Sequence, residues 1–372
     1  MYKLKEKLKQ HIILKKYIYF LKKQSGMTGD DSIHLLTSYK EPANYPRFSQ
    51  SVKLDFKYDL MVVVPVFNAE KYLIQCIDSL INQETKYSYI IVIVDDGSKD
   101  SSIKILSNYQ KYENLKVIAT PNLGAAHARN IALKCLYAEY LMFVDADDFI
   151  STNLIEVLMD AAYKYQADIV QCDYLEFEVE PSKLYKEHNT EAQPIKYDRL
   201  YGYPWGKVIS SYRFLNLCFP EGYQFEDTIM ATLLYPFCSK VYAVPRVLYY
   251  YRKNPEGITE TIKEKRESID TFWMTKFCLE EGIKRGYKLK QTDYERFLKK
   301  IRLNWMRIQQ LPENIREAIW IQTALLYKKY YINFRATTYS EKLIEAALIN
   351  RSFDAYELLM RNWNWINQRE AD

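Results

Sequence analysis

From residue 60 to about 172 the chain alternates short apolar runs with longer stretches whose apolar residues recur every three or four positions. The runs "LMVVVPVF" (60–67), "YIIVIVDDG" (89–97), "LKVIAT" (115–120), "EYLMFVDAD" (139–147) and "ADIVQCDY" (167–174) read as strands. Between them "AEKYLIQCIDSLINQ" (69–83), "DSSIKILSNYQKY" (100–112), "GAAHARNIALKCL" (124–136) and "TNLIEVLMDAAYKY" (152–165) have helical spacing. Strand, helix, strand at this rhythm predicts βαβ units: an α/β fold with a Rossmann-like, mostly parallel sheet flanked by helices. Sheets of this kind bind ligands beyond the carboxyl ends of their strands.

On either side the pattern changes. Residues 175–260 are irregular and carry seven prolines, from Pro181 to Pro255. From 261 onward Gly and Pro thin out and helical spacing dominates, with a basic, aromatic stretch at 284–307. Residues 1–24 read as a basic amphipathic helix, with Leu4, Leu8 and Ile12 at helical spacing, eight lysines and one glutamate. Residues 25–58 contain Gly, Ser, Asp and Pro and read as a linker. The expected organisation is an N-terminal helix and linker over 1–58, a catalytic α/β domain over 59–260 and a helical region over 261–372.

Composition narrows the possibilities. The 372 residues are 48% hydrophobic and 27% charged, enough to build a core. A net charge of +5 is too small to argue for nucleic acid. The six cysteines (Cys76, Cys135, Cys172, Cys218, Cys238, Cys278) include no CxxC pair, which argues against a zinc site and a disulfide framework and for a reducing, cytoplasmic compartment. No apolar run approaches the roughly 20 residues that span a bilayer. The basic N-terminal helix has two readings of equal weight: peripheral contact with an anionic membrane face, or a solvated helix docked on its own domain. The C-terminal helices pack together or serve as a homo-oligomer interface.

The chemistry lies at strand ends. "PVFN" (65–68) follows the first strand, "VDDGSKD" (94–100) the second, and "VDADD" (144–148) the fourth. Each is an ordinary turn sequence alone. Together they place Asp95, Asp96, Asp145 and Asp147 along one edge of one sheet. A row of carboxylates holds a hard divalent cation, which then bridges phosphate oxygens. The edge therefore reads as a nucleotide-diphosphate site with a metal. There is no GxGxxG after the first strand and no GxxxxGK[ST], which argues against a dinucleotide site and a P-loop.

In this order, "PVFN", "VDDGSKDSS", "NLGAAHARNIAL" and "FVDADD" resemble a family-2 glycosyltransferase with the A-type (GT-A) fold, over roughly residues 60–260. The resemblance implies inverting transfer of a sugar from a UDP-sugar to a hydroxyl of a saccharide or lipid-linked saccharide, in bacterial surface-polysaccharide synthesis. It implies that Pro65, Val66 and Asn68 line the nucleotide pocket, that Asp95 or Asp96 reads uracil or ribose, and that Arg129 reaches the nucleotide or diphosphate. "DAD" matches the DxD signature, with Asp145 at the ribose or sugar and Asp147 on Mn²⁺ or Mg²⁺. Asp148 would cap the following helix or orient the site. Trp205 and Lys207 of "YPWGKVI" would shape the donor-sugar and acceptor side, and Arg252 of "YYYRKNPEGIT" would contact phosphate. "FEDT" would supply the base, Asp227 first and Glu226 second. No histidine follows His188, so the cation would rely on Asp147, diphosphate and water. The rival readings are a nucleotidyltransferase on a similar sheet, for which "PVFNAEKY" is a poor triphosphate loop, and a non-catalytic nucleotide-sugar-binding protein.

Overall fold

The computed structural model describes residues 13–42, 46–178, 191–255, 257 and 265–367. The chain divides into two compact units: Ala43–Gly257, and Met1–Pro42 with Ile258–Asp372.

The first unit is built on one nine-stranded sheet. In chain order its strands are β1 (Lys53–Val66), β2 (Tyr89–Asp95), β3 (Leu115–Ala119), β4 (Cys135–Phe143), β5 (Phe149–Ile150), β6 (Ile169–Phe177), β7 (Gln193–Pro194), β8 (Lys207–Ser210) and β9 (Val241–Arg252). The spatial order is β3-β2-β1-β4-β8-β6-β9-β5, with β7 on β9. The β3-β2-β1-β4 half is parallel throughout. β8 runs antiparallel between β4 and β6, so β6 and β4 point the same way, and β9 runs parallel to β6. The sheet is thus mixed, with its parallel half where the alternating pattern predicted it.

Central β1 shows why that half forms. Met61, Val62, Val63 and Val64 are fully buried, as a strand covered on both faces requires. Each such side chain contributes about 1.5–3 kcal/mol on leaving water. Helix Leu73–Ile81 covers one face with Leu73, Cys76, Ile77 and Leu80, and helix Leu154–Tyr165 adds Leu154, Ile155, Leu158 and Met159 to the same core. The helices are shorter than the apolar spacing suggested, because flanking polar residues form turns. The end of the predicted helix 124–136 is already strand: helix Ala125–Leu133 stops and β4 starts at Cys135.

The second unit is helical, with Asp270–Lys284, Gln291–Ile308, Glu313–Leu326, Tyr339–Ile349 and Phe353–Arg361 as its long helices. Trp320 and Tyr356 stack at its centre, 4.0 Å apart and within 9° of parallel. The N-terminal segment belongs to this unit. Residues 13–21 are helical, with Ile13 and Tyr17 buried, and the Tyr17 hydroxyl donates to the Leu343 carbonyl. The predicted apolar stripe of Leu4, Leu8 and Ile12 lies outside the described residues. The stretch read as linker holds a further helix, Gly29–Tyr39, started by a capping box in which Thr28 accepts from the Asp31 amide and Asp31 accepts from the Thr28 amide. Gln322 donates to the Gly29 carbonyl and Ser32 Oγ of this helix. Among the described residues no helix is long and apolar enough to cross a membrane.

Candidate active site

The carboxyl ends of β1, β2 and β4 lie side by side, so the three polar motifs share one edge. Val66 at the end of β1 pairs with Asp95 at the end of β2, and the Val66 carbonyl accepts from the Asp96 amide at 2.8 Å. Gly97 then turns the chain at φ +74°, where an added Cβ would meet the Asn122 nitrogen at 2.9 Å. Asn68 takes a left-handed φ of 48°; its amide donates to Ser98 Oγ, and its Oδ1 accepts from the Lys99 amide.

Adjacent aspartates in this corner differ. Asp96 accepts from the Leu123 amide at 3.0 Å, the Gly124 amide at 2.7 Å and the Thr120 hydroxyl at 3.3 Å. It is spent on the loop that launches helix Ala125–Leu133. Asp95 is 1% exposed; its Oδ2 accepts from the Ser98 amide, and its Oδ1 is buried with no hydrogen-bond partner among the described residues. A buried, unpaired carboxylate oxygen is costly, so Asp95 is the member of the pair left open to a ligand's donors. Pro65 is half-buried at the same edge and Val66 is fully buried.

Arg129 joins the motifs. It sits in helix Ala125–Leu133 at 6% exposure, donates through Nη1 to Glu226 at 2.6 Å and through Nη2 to Asp145 at 3.2 Å, and lies over the Phe219 ring. Burial alone would lower this guanidinium, but Glu226 and Asp145 outweigh it and hold it above its ordinary value. The expected reach to the nucleotide gives way to a buried bridge between the "DAD" loop and the "FED" loop. A buried cation needs such partners, and small neighbours in "GAAHARN" give it room.

The carboxylates around it remain short of positive charge. Burial raises Asp145 to about 6, opposed by Arg129 and reinforced by Asp147. Burial raises Asp147 as well, opposed by the Asn254 amide group that donates to its Oδ2 at 3.2 Å. Burial raises Glu226, again opposed by Arg129 and reinforced by Asp227. Asp227 is half-buried, and among the described residues no group donates a hydrogen bond to its carboxylate.

Several expectations are corrected here. Asp148 caps no helix, because the next element is β5. Its buried carboxylate accepts from the Tyr249 hydroxyl at 2.6 Å and the Arg252 amide at 2.7 Å, tying the loop to β9. Arg252 is 7% exposed, donates through Nε to the Asp147 carbonyl at 2.9 Å and lies over the Tyr72 and Phe177 rings, so it braces the loop. Lys207 is fully buried; its Nζ donates to the Tyr203 and Trp205 carbonyls and sits 3.1 Å from the Tyr201 ring centre. Burial drives it well below its ordinary range. Trp205 is 1% exposed between stacked tyrosines. Lys207 and Trp205 are both buried, and neither presents its side chain at the surface.

A divalent cation fits this edge. Among the described residues no three His, Cys, Asp or Glu side chains group as a closed metal centre. What the edge offers is the open oxygens of Asp147 and Asp145, the small carboxylate share that magnesium or manganese takes when phosphates supply the rest.

Residues 61–223 match the family model described as Glycosyl transferase family 2. Over those residues the chain is similar to family 2 glycosyltransferases. Among its relatives is glycosyltransferase GlyA of Streptococcus pneumoniae, 31% identical over 225 residues, which are 55% of this chain and 32% of that protein. Glycosyltransferase GlyG of the same organism is 29% identical over 235 residues, 57% of this chain and 78% of the relative. The chain thus spans about a third of GlyA and about four-fifths of GlyG. Poly(ribitol-phosphate) beta-N-acetylglucosaminyltransferase TarS of Staphylococcus aureus is 29% identical over 207 residues, 53% of this chain and 36% of TarS. The crystal structure of TarS 1–349 in complex with UDP-GlcNAc superposes with a TM-score of 0.56 at 20% identity, covering 82% of this chain and 91% of that one. The fold is the A-type glycosyltransferase fold, as the ordered motifs implied.

Proposed function

We propose that the chain transfers a sugar from a UDP-sugar to a hydroxyl of a saccharide or lipid-linked saccharide, with inversion, in cell-surface polysaccharide synthesis. The Arg129 bridge carries this reading, because it ties Glu226, the chain neighbour of Asp227, to Asp145 of the "DAD" loop. The UDP-GlcNAc complex of TarS, on the same fold, supports a uridine nucleotide as donor carrier.

In this reading Pro65, Val66 and Asn68 shape the nucleotide pocket, and the orphaned Oδ1 of Asp95 accepts from the uracil or ribose. Asp147, with Asp145 beside it, would hold Mn²⁺ or Mg²⁺, which supplies positive charge for the departing diphosphate. Asp227 takes the proton from the acceptor hydroxyl as its oxygen bonds to the anomeric carbon and the bond to the diphosphate breaks. One displacement from the opposite face inverts that carbon. Glu226 is the weaker candidate for the base because Arg129 already occupies it. Arg129 and Arg252 hold the two loops in register.

The outward residues of the 13–21 helix and its exit, Lys15, Lys16, Ile18, Tyr19, Lys22 and Lys23, are exposed. This basic and apolar mixture suits an anionic bilayer surface on the cytoplasmic side. Charge reversal at Lys15, Lys16 and Lys22 should release the protein from anionic liposomes in co-sedimentation; undiminished binding sinks the membrane contact.

For the transfer itself, UDP release is measured across a set of UDP-sugars with manganese or with EDTA. Release from at least one UDP-sugar, lost on chelation, is expected. No release from any of them overturns the reading.

A further inference from the structure

Helix Ala125–Leu133 holds the loop that carries the base by more than Arg129. His127 Nδ1 lies 3.1 Å from Glu221 Oε2. Asn130, only 2% exposed, grips the start of the loop. Its Oδ1 accepts from the Phe219 amide at 2.8 Å, and its Nδ2 donates to the Phe219 carbonyl and to Glu221 Oε1, each at 2.8 Å. One side chain thus satisfies both main-chain groups of a residue that is itself fully buried.

This double contact decides the residue type. A side-chain amide sets a donor and an acceptor side by side, as a peptide group does. Aspartate would turn acceptors toward the Phe219 carbonyl and Glu221. Leucine would leave a buried amide and a buried carbonyl unpaired. Asparagine is also a poor residue for a helix interior, so helix formation does not account for it. The Phe219 ring is placed separately, edge-on to Phe143 at the end of β4 with ring centres 5.4 Å apart. What Asn130 fixes is the backbone.

Between Phe219 and Asp227 that backbone has a set course. Gly222 takes φ +82° and Phe225 φ +62°, and a bulky residue adopts such a left-handed conformation only where its surroundings impose it. The Thr228 amide then donates to the Phe225 carbonyl at 3.1 Å, and the Met230 amide to the Asp227 carbonyl at 2.9 Å. One helix therefore clamps the loop at Phe219, Glu221 and Glu226, and Asp227 follows the last clamp. Asn130 acts at the start of the loop, and Asp227 stands at its end.

We propose that Asn130 is a positioning residue for the proton transfer: its hold on the Phe219 peptide fixes the loop whose far end carries Asp227, so that the base meets the acceptor hydroxyl at a set distance and angle. The proposal rests on the reading of Asp227 as the base and adds a residue to the same site. Placement of this kind matters to rate, since a shift of about 1 Å can cost about 10²-fold.

The test compares the full wild-type chain with Asn130→Ala, Asp227→Asn and the double variant, using whichever UDP-sugar is turned over. UDP release is measured at saturating UDP-sugar and manganese. Calorimetric titration with UDP gives the affinity and, from its stoichiometry, the fraction of folded sites by which each rate is divided. Asn130→Ala should lower kcat per site by about 10- to 100-fold and leave UDP affinity unchanged. Added to Asp227→Asn, it should lower the residual rate by less than about twofold, because a base already removed has no position to lose. Glu221→Ala keeps the Phe219 contacts but removes the second acceptor of Asn130 Nδ2, and should lower kcat by about two- to threefold. The proposal is overturned if Asn130→Ala leaves kcat per site unchanged, costs the same factor in both backgrounds, or weakens UDP binding in step with the rate. Should Asn130→Ala fail to fold, Glu221→Ala decides, and an unchanged kcat there overturns the proposal. A wild-type chain that turns over no UDP-sugar overturns the glycosyltransferase reading itself, and an Asp227→Asn variant as fast as wild type overturns its base. Failure of the Asn130 role alone would leave wild type active and Asp227→Asn slow.

Discussion

Asp145 and Asp168 lie at opposite edges of the same sheet, and the contrast between them shows what makes a carboxylate functional here. Asp168 precedes β6, and because β6 and β4 point the same way, it sits at the edge away from the ligand side. Its oxygens accept from the Ser239 and Lys240 amides and from Nε and Nη2 of Arg213. Burial alone would raise the Asp168 carboxyl, but these donors outweigh it and hold the group below its ordinary value. At Asp145, burial wins and lifts the carboxyl to about 6, with Arg129 its one ion-pair partner among the described residues. Asp168 has what it needs from its own chain. Asp145 has only the shared Arg129 among the described residues, and in the proposed reading a bound cation would add the missing positive charge.

The largest effect should follow removal of the proposed cation ligand. Asp147→Ala should abolish manganese-dependent UDP release without lowering the melting temperature, since among the described residues its carboxylate accepts one side-chain hydrogen bond, from Asn254. Retained activity at ordinary manganese would show that the ligand edge does not need this carboxylate. Next, Arg129→Met leaves Asp145 and Glu226 facing each other unpaired inside the protein. A loss of about 3–5 kcal/mol is expected in urea unfolding, together with lost turnover; unchanged stability would mean the bridge is unimportant to the fold. Asp168→Asn attacks the other end of the comparison. It should cost about 2–3 kcal/mol and leave turnover per folded molecule unchanged, so a fall in kcat would erase the distinction between the two edges.

The smallest effect is in pH. A depressed carboxyl binds its proton less readily in the folded than in the unfolded chain. Asp168 therefore contributes stability that is fully present above its unfolded pKa, about 3.9, and is lost as pH falls through its lower folded value. Acid unfolding below about pH 4 should be shallower in Asp168→Asn than in wild type. Parallel curves would show that the group is not depressed.

Much of this was legible from residue order, and the failures have physical causes. The β1 to β4 half was readable because strands buried on both faces become continuous apolar runs, and because "PVFN", "VDDGS" and "VDADD" sit where those runs end. Partners of individual polar groups were not readable. Asp95 and Asp96 look alike in sequence, yet one is spent on the Leu123 and Gly124 amides and the other keeps an orphaned oxygen. In sequence Lys207 reads as shaping the donor-sugar and acceptor side and Arg252 as a phosphate contact, but backbone carbonyls claim both. Helix Gly29–Tyr39 hid among turn-forming residues, although the Thr28-x-x-Asp31 spacing was a usable signal. Asn130 carried no signal at all, since an asparagine within a helical stretch gains meaning only from the peptide it grips.

The central claim is that Asp227 takes the acceptor's proton on an edge whose other carboxylates await a cation and a diphosphate. The most direct test compares UDP release by wild type and Asp227→Asn with saturating UDP-sugar and manganese, alongside calorimetric titration with UDP. The account predicts unchanged UDP affinity and a rate lower by about 10²–10⁴ in the variant. Undiminished turnover at saturation, with or without a change in UDP affinity, would contradict it.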